Sequence, residues 1–223
     1  QQKWVSAHRY QFLYMFILYS LSTLFWLLIF DFERYFKRKL YTTPISKIET
    51  KDHVIFWVGK ICYLIFYAVI PVLILGWLPW FIGFITLHIT MGLTLTIVFQ
   101  LAHIVEKTEF EQAGEEPKII NNEWAVYQVL TTADFAPGNR IVTWLVGGLN
   151  YQIEHHLFPR VSHVHYPALS RIVEENCKRF DLPYNCYPTT RAAVASHIRL
   201  MMQLGKKDFT PPVLRSSFDS LIS

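Results

Sequence analysis

The sequence predicts an all-α membrane protein: a transmembrane helical hairpin, one interfacial helix, and a cytoplasmic helical cap. Three observations carry that prediction. Residues 54–78 and 80–102 are each apolar over the roughly 20 residues that a bilayer crossing needs, and a short uncharged turn joins them. From Ile104 onward no stretch is long and apolar enough to cross. The composition is 52% hydrophobic and 16% aromatic, with seven Trp and twelve Tyr. That is richer than a soluble domain of this size, and those rings suit the membrane interface.

Residues 12–30 are apolar except for Tyr14, Tyr19, Ser20, Ser22 and Thr23. Lys3, His8 and Arg9 precede this run, and Arg34, Lys37, Arg38 and Lys39 follow it. Positive charge marks the cytoplasmic side, so both ends belong on one side. A helix lying in the interface, or dipping in and returning, meets that condition. Residues 41–51, with Pro44, read as a polar linker. In 54–78 the one charge, Lys60, lies near the start, where its ammonium snorkels to the head groups. Pro71 is a site for a kink, which membrane helices tolerate. Gly76-Trp77-Leu78-Pro79-Trp80 makes the far-interface turn, and 80–102 returns. Lys47 and Lys51 mark the open end of the hairpin as cytoplasmic. His88, inside the returning run, reads as a satisfied intramembrane polar group bonded to a neighbouring helix. Gln100, His103 and Glu106 recur at a spacing that shares one helical stripe.

Residues 106–122 are charged, hold Gly114 and Pro117, and read as a surface loop. The 124–132 segment suits a short helix or a strand. Ala136-Pro137-Gly138-Asn139 is a turn. The apolar run 141–149 is too short to span; it is expected to pack under the membrane helices and deliver Gln152. Leu169, Ile172, Val173, Cys177 and Phe180 form a helical stripe. A further helix runs over 189–204, with Thr189 or Thr190 as its N-cap and Gly205 as its stop. The tail, 209–223, is expected to be poorly ordered beyond Pro211-Pro212. Cys62, Cys177 and Cys186 form no CxxC, so neither a disulfide framework nor a zinc ribbon is indicated. The net charge of +4 is concentrated beside the apolar runs, which points to a bilayer and not to nucleic acid.

The chemistry-bearing stretch is Gln152-Ile153-Glu154-His155-His156-Leu157-Phe158-Pro159. At about 100° per residue, Gln152, His155 and His156 share one helical face. Neutral imidazole is the commonest metal ligand, so this face offers two nitrogens and one oxygen to a shared site. Pro159 ends the helix, because proline disfavours helical backbone in the residue before it. If nothing spans between them, His103 and this face lie on the same side of the membrane, so topology alone brings the two histidine groups together.

Gly148-Leu149-Asn150-Tyr151-Gln152-Ile153-Glu154-His155-His156-Leu157-Phe158-Pro159 resembles the third histidine box of membrane fatty acid desaturases. The match is to the front-end type, whose box begins with Gln. Thr131-Thr132-Ala133-Asp134-Phe135 with Asn139, His8-Arg9-Tyr10-Gln11, the hairpin and Phe99-Gln100-Leu101-Ala102-His103 match in order and distance. The resemblance covers 1–208 and implies the C-terminal part of a desaturase domain, with residues 104–208 as its cap. It implies an integral membrane oxidoreductase, its box on the cytoplasmic side, that introduces a double bond into a fatty acyl chain carried by CoA or a phospholipid. It further implies two Fe ions as a di-iron centre, O2 as co-substrate, and an external cytochrome b5 or ferredoxin-type electron donor. His103, His155 and His156 then become iron ligands, Gln152 takes the place of a box histidine, and Glu154 orients an imidazole through its other nitrogen.

The family's two earlier boxes, HxxxH and HxxHH, are not found in this sequence. His8, His53 and His88 are isolated, and His163 and His165 read as structural or as the rim of the site. The opening Gln-Gln-Lys-Trp carries no initiator Met. A fragment unable to assemble the centre alone is therefore expected. Other readings are a lipid hydroxylase on the same scaffold, a membrane zinc hydrolase, and a non-catalytic membrane protein or transporter. A transporter would show repeated hairpins or interrupted helices. A soluble carboxylate-bridged di-iron protein would need Glu-x-x-His pairs, and the sequence has none. The purified 223-residue chain should retain well under two iron ions per molecule by elemental analysis, and a full pair would overturn the fragment reading.

Overall fold

The computed structural model describes residues 4–40, 43–44, 48–110 and 124–212. The expectations placed on Lys3, Lys47, Gly114, Pro117 and the 213–223 part of the tail lie outside the described residues. The chain divides into two compact units, one made of Gln1–Met15 with Ile97–Ser223 and the other of Phe16–Thr96.

Among the described residues three helices are long and apolar enough to cross a membrane: α1, Ser6–Lys37; α2, Thr50–Leu75; and α3, Trp77–His103. α1 extends well beyond the apolar run 12–30. Its length and composition suit a crossing, where the sequence favoured an interfacial helix. Its polar flanks, a 3-10 turn at Ser6–Tyr10 and Asp31–Lys37, are themselves helical, and the apolar run between them passes through a π-turn at Trp26–Phe30.

In the Phe16–Thr96 unit, polar groups on these helices satisfy one another. His88 is buried, its Nε2 2.7 Å from Tyr63 Oη and its Nδ1 3.1 Å from Thr23 Oγ1. It is the bonded polar group that the sequence indicated. Lys60 pairs with Asp31 at 2.7 Å and donates to the Leu27 carbonyl at 2.9 Å. A cation in an apolar helix is stabilised by a nearby carboxylate more directly than by a distant surface. Before Pro71 the helix widens into a π-turn, Ile65–Val69. Proline supplies no N–H to the carbonyl four residues back, and that carbonyl, Tyr67 O, accepts instead from Trp80 Nε1 at 2.8 Å. Gly76, at φ 83°, makes the reversal into α3.

The other unit contains short helices: α4, Trp124–Thr131; α5, Arg140–Leu145; α6, Gln152–Leu157; α7, Tyr166–Arg179; and α8, Thr190–Leu204. The fold is mainly helical, yet the all-α expectation needs correcting. β1, Lys39–Leu40, pairs antiparallel with β2, Thr43–Pro44, and β3, Asp134–Phe135, pairs parallel with β4, Cys186–Tyr187. The β3 segment must satisfy its backbone groups away from any helix. Ala133 N donates to Ala102 O, Asp134 N to Asn185 O, Phe135 N to Asn150 O and Ala136 N to Tyr187 O, all at 2.8–3.0 Å. Around it Leu101, Val105, Ala133, Phe135, Tyr187 and Ala193 form one core, and Val129, Ile153, Val173 and Cys177 form a second.

The 124–132 segment resolves as helix. Thr189 caps α8 by accepting from Ala192 N, and Gly205 stops it. Two packing expectations are corrected. Ile141, Trp144 and Leu145 on α5 are 71%, 79% and 68% exposed, so the 141–149 run does not bury itself. On α7 only Tyr166, Val173 and Cys177 are buried, while Ile172 and Phe180 face outward. α3 ends at His103, which takes Glu106 off the helical stripe. Thr108 Oγ1 donates to the His103 carbonyl at 3.0 Å, and Glu106 turns to a forked pair with Arg199 at 2.8 Å.

Gly92 permits the closest helix approach in the Phe16–Thr96 unit. A Cβ there would lie 2.5 Å from the Ser20 carbonyl oxygen, a backbone atom that cannot swing aside. Small residues serve this purpose between membrane helices. Gly92→Leu should cost about 1–3 kcal/mol or more by overpacking, read as a lower unfolding temperature in detergent, with Gly83→Leu, whose Cβ would meet nothing within 4 Å, as the neutral control.

Candidate metal centre

The local fold sets out the histidines before any tertiary contact forms. Gly147 and Gly148, at φ 59° and 80°, turn the chain from α5 into α6, a conformation that glycine adopts without steric cost. α6 opens at Gln152 and ends at Leu157, where Phe158 adopts φ −128° ahead of Pro159. Within its two turns Gln152 and His156 stack at i and i+4.

His103, from the last turn of α3, completes the cluster. Gln152 Nε2 lies 3.3 Å from His103 Nε2 and 3.1 Å from His156 Nε2, and those two rings stand 5.1 Å apart between centroids. The His155 ring lies 5.8 Å from that of His156. The three imidazoles and the amide that the sequence singled out are therefore brought together. Gln152 presents its nitrogen to the rings, where the sequence expectation was oxygen. Two ring lone pairs facing one point call for a donor between them, and the NH2 group supplies two hydrogens.

The protons on the rings follow from their outer partners. His156 Nδ1 donates to Gln128 Oε1 at 2.6 Å, and the Thr131 backbone carbonyl accepts from His103. Each partner holds the proton on the far nitrogen and turns Nε2 inward as a lone pair. Burial, then the neighbouring His103 and His155, pushes the His156 imidazole down to about 4, so the neutral ring dominates at neutral pH. His155 Nδ1 meets Tyr166 Oη at 3.3 Å. Gln128, Thr131 and Tyr166 were not foreseen from the sequence. The i, i+3 spacing of Gln128 and Thr131 on a short helix was the available signal.

Glu154 does not orient an imidazole. It is fully buried and faces Tyr184, whose Oη lies 2.6 Å from Asp134 Oδ2 and 3.1 Å from Glu154 Oε1. Burial and then the charge of Asp134 push the Glu154 carboxyl up to about 9. Burial raises Asp134 as well. At neutral pH the pair therefore keeps a proton. The Tyr184 hydroxyl donates towards both carboxyls, more closely to Asp134 Oδ2 than to Glu154 Oε1, and the retained proton lies between Glu154 and Asp134. Asp134 Oδ1 accepts from Ile153 N at 3.0 Å, which anchors α6 by its backbone. An Asp between Ala133 and Phe135 was a sequence hint of a buried carboxyl.

The donor set fits one wall of a metal centre. Inward Nε2 atoms with bonded Nδ1 groups are what first-row metals bind among imidazoles. Among the described residues, however, no group of three or more His, Cys, Asp or Glu side chains is arranged to hold an ion by itself. His53 bonds Tyr35, while His163 and His165 lie exposed on a 3-10 turn outside the cluster.

Comparison with known proteins covers most of the chain. The family described as fatty acid desaturase matches residues 1–188. The sn-1 linoleoyl-lipid 6-desaturase of Synechocystis sp. is 34% identical over 217 residues, covering 92% of this chain and 58% of that protein. The acyl-lipid (8-3)-desaturase of Physcomitrium patens is 35% identical, covering 91% and 42%. The Delta(5) fatty acid desaturase A of Dictyostelium discoideum is 31% identical, covering 95% and 47%. The chain thus spans about half the length of the curated relatives it matches. No solved structure matches it.

The raised carboxyl has a consequence for stability. An acid whose folded pKa exceeds its unfolded value binds the extra proton in the folded state, so its contribution is full below pH about 4.5 and fades as pH rises towards about 9. Unfolding temperatures in detergent should fall across that window, and Glu154→Gln, a neutral mimic, should flatten the profile. An unchanged slope in the variant would place the carboxyl proton elsewhere.

Proposed function

The chain belongs to the fatty acid desaturase family, and on that premise we propose that it forms part of a membrane desaturase acting on the acyl chains of lipids. The single observation that carries the reading is the convergence of His103, Gln152 and His156, with His155 beside them. In this proposal His103, His155 and His156 are ligands of a di-iron centre whose remaining ligands come from outside the described cluster. Such a centre, with dioxygen, supplies the abstraction of hydrogen from an unactivated C–H bond, which no amino-acid side chain performs.

The chain's own residues prepare that site. Gln128 and the Thr131 carbonyl hold Nδ1 protons, so that Nε2 lone pairs face inward. Tyr166 orients His155, and Gln152 spaces the two rings that it touches. Asp134, Glu154 and Tyr184 make a buried, hydrogen-bonded floor that keeps one proton, and Asp134 fixes α6 through Ile153 N. The box faces the cytoplasm and the three apolar helices lie in the bilayer, with residues 1–208 forming the desaturase part and 209–223 a tail. The substrate is an acyl lipid, in keeping with the names of the relatives. A cytochrome b5 or ferredoxin-type donor supplies two electrons; with two protons and the two hydrogens leaving the acyl chain, these take O2 to two waters.

The reading is tested by co-expressing the chain with the part of the Synechocystis enzyme that it does not span, in membranes containing linoleoyl lipids and a reductant. Fatty acid analysis should find an acyl chain with one more double bond, and His103→Ala or His156→Ala should abolish it. A product that keeps an oxygen atom would make the protein a lipid hydroxylase instead.

A further inference from the structure

We propose that the cleft between α5 and α7 binds the head-group phosphate of a bilayer phospholipid alongside the histidine cluster. The cleft has a volume of about 700 Å3, and Arg140, His163 and Arg171 reach it from three separate segments. No carboxylate stands among its described lining residues, and neither arginine takes part in an ion pair among the described residues. Two guanidiniums and an imidazole, in a cleft whose described lining holds no carboxylate, complement an anion, and Arg is suited to phosphate by its planar fork of donors. Gly148 holds His163 in place: a Cβ on Gly148 would lie 2.5 Å from the His163 Cβ, so backbone and side chain touch directly.

The rim of the cleft identifies which phosphate. Trp144 and Val164 line it while remaining 79% and 65% exposed, and Ile141 and Leu145 extend the same apolar surface. A helix that begins with an arginine and continues with exposed Ile, Trp and Leu suits a bilayer interface. A free phosphate or a water-soluble carrier such as CoA has no use for that rim. The walls are also joined to the cluster through the chain. Tyr151, which lines the cleft and donates to the Pro137 carbonyl, immediately precedes Gln152. Pro167, on the opposite wall, follows Tyr166, the partner of His155. A head group seated here would present its own acyl chain beside the imidazoles. That last step rests on the proposed lipid-acting function, whereas binding requires neither metal nor turnover.

The test is calorimetric binding of dihexanoyl phosphatidylglycerol to the purified chain in an uncharged detergent, compared with inorganic phosphate, CoA and dihexanoylglycerol. The wild type should bind the phospholipid at least about tenfold more tightly than the other three. Arg140→Gln/Arg171→Gln should lose about tenfold or more, and Arg171→Lys alone should lose less. Trp144→Gln should weaken phospholipid binding and leave phosphate unchanged. Circular dichroism melts keep misfolding separate from loss of binding, with the exposed Trp144→Gln as the variant least able to unfold the chain. Equal binding by the double variant, or of CoA or dihexanoylglycerol by the wild type, overturns the site. Intact phospholipid binding with no desaturation in the co-expression experiment counts against the enzymatic reading alone.

Discussion

Four consecutive backbone N–H groups, from Ala133 to Ala136, hold the candidate centre together. They bond carbonyls from three parts of the sequence: Ala102 at the end of α3, Asn150 ahead of α6, and Asn185 with Tyr187 at β4. This strap is buried throughout, so an unmade bond would cost the full desolvation of an N–H group. Its small residues at Ala133 and Ala136 let the neighbouring chains approach. Because the same few residues touch the end of α3 and the lead-in to α6, His103 is held near His156 by backbone contacts. The imidazoles do not have to find each other; the strap has already placed their elements.

Proton placement then gives the cluster its chemical character. Imidazoles become ligands only when neutral, and burial makes the charged form of His156 costly. Acceptors on the outer side of His103 and His156 direct the remaining lone pairs inward. Beneath them the Asp134–Glu154 pair avoids placing two negative charges in one buried space by keeping a proton, with Tyr184 between the carboxyls. The acid in the box is thus kept protonated beside the imidazoles, while Asp134 supports the backbone of α6 through Ile153 N. Glu154 is next to His155 in sequence, but lies on the side of α6 away from the face shared by Gln152, His155 and His156.

The apolar helices follow the same rule of internal satisfaction. His88, Lys60 and the Tyr67 carbonyl freed by Pro71 each find a partner on a neighbouring helix or turn. Apolar surroundings offer no water to compensate an unpaired group. Polar residues there were visible in the sequence as isolated interruptions; their partners were not, because the partners are separated by tens of residues.

Local pattern was enough to mark the two long apolar runs, the turn at Gly76, the cap at Thr189, and the shared face of Gln152, His155 and His156, since each depends on residues within a turn or two of one another. The convergence of His103 with that face was also readable, because no stretch between them in the sequence is long and apolar enough to span. The sequence did not reveal the strap, the β3–β4 pairing, the Asp134–Tyr184–Glu154 contact or the outer partners Gln128 and Tyr166. It also misjudged the burial of α5 and the outward side of α7. These are settled only when segments far apart in the chain meet, because a backbone N–H or a carboxyl proton takes whichever partner the packed interior leaves within reach.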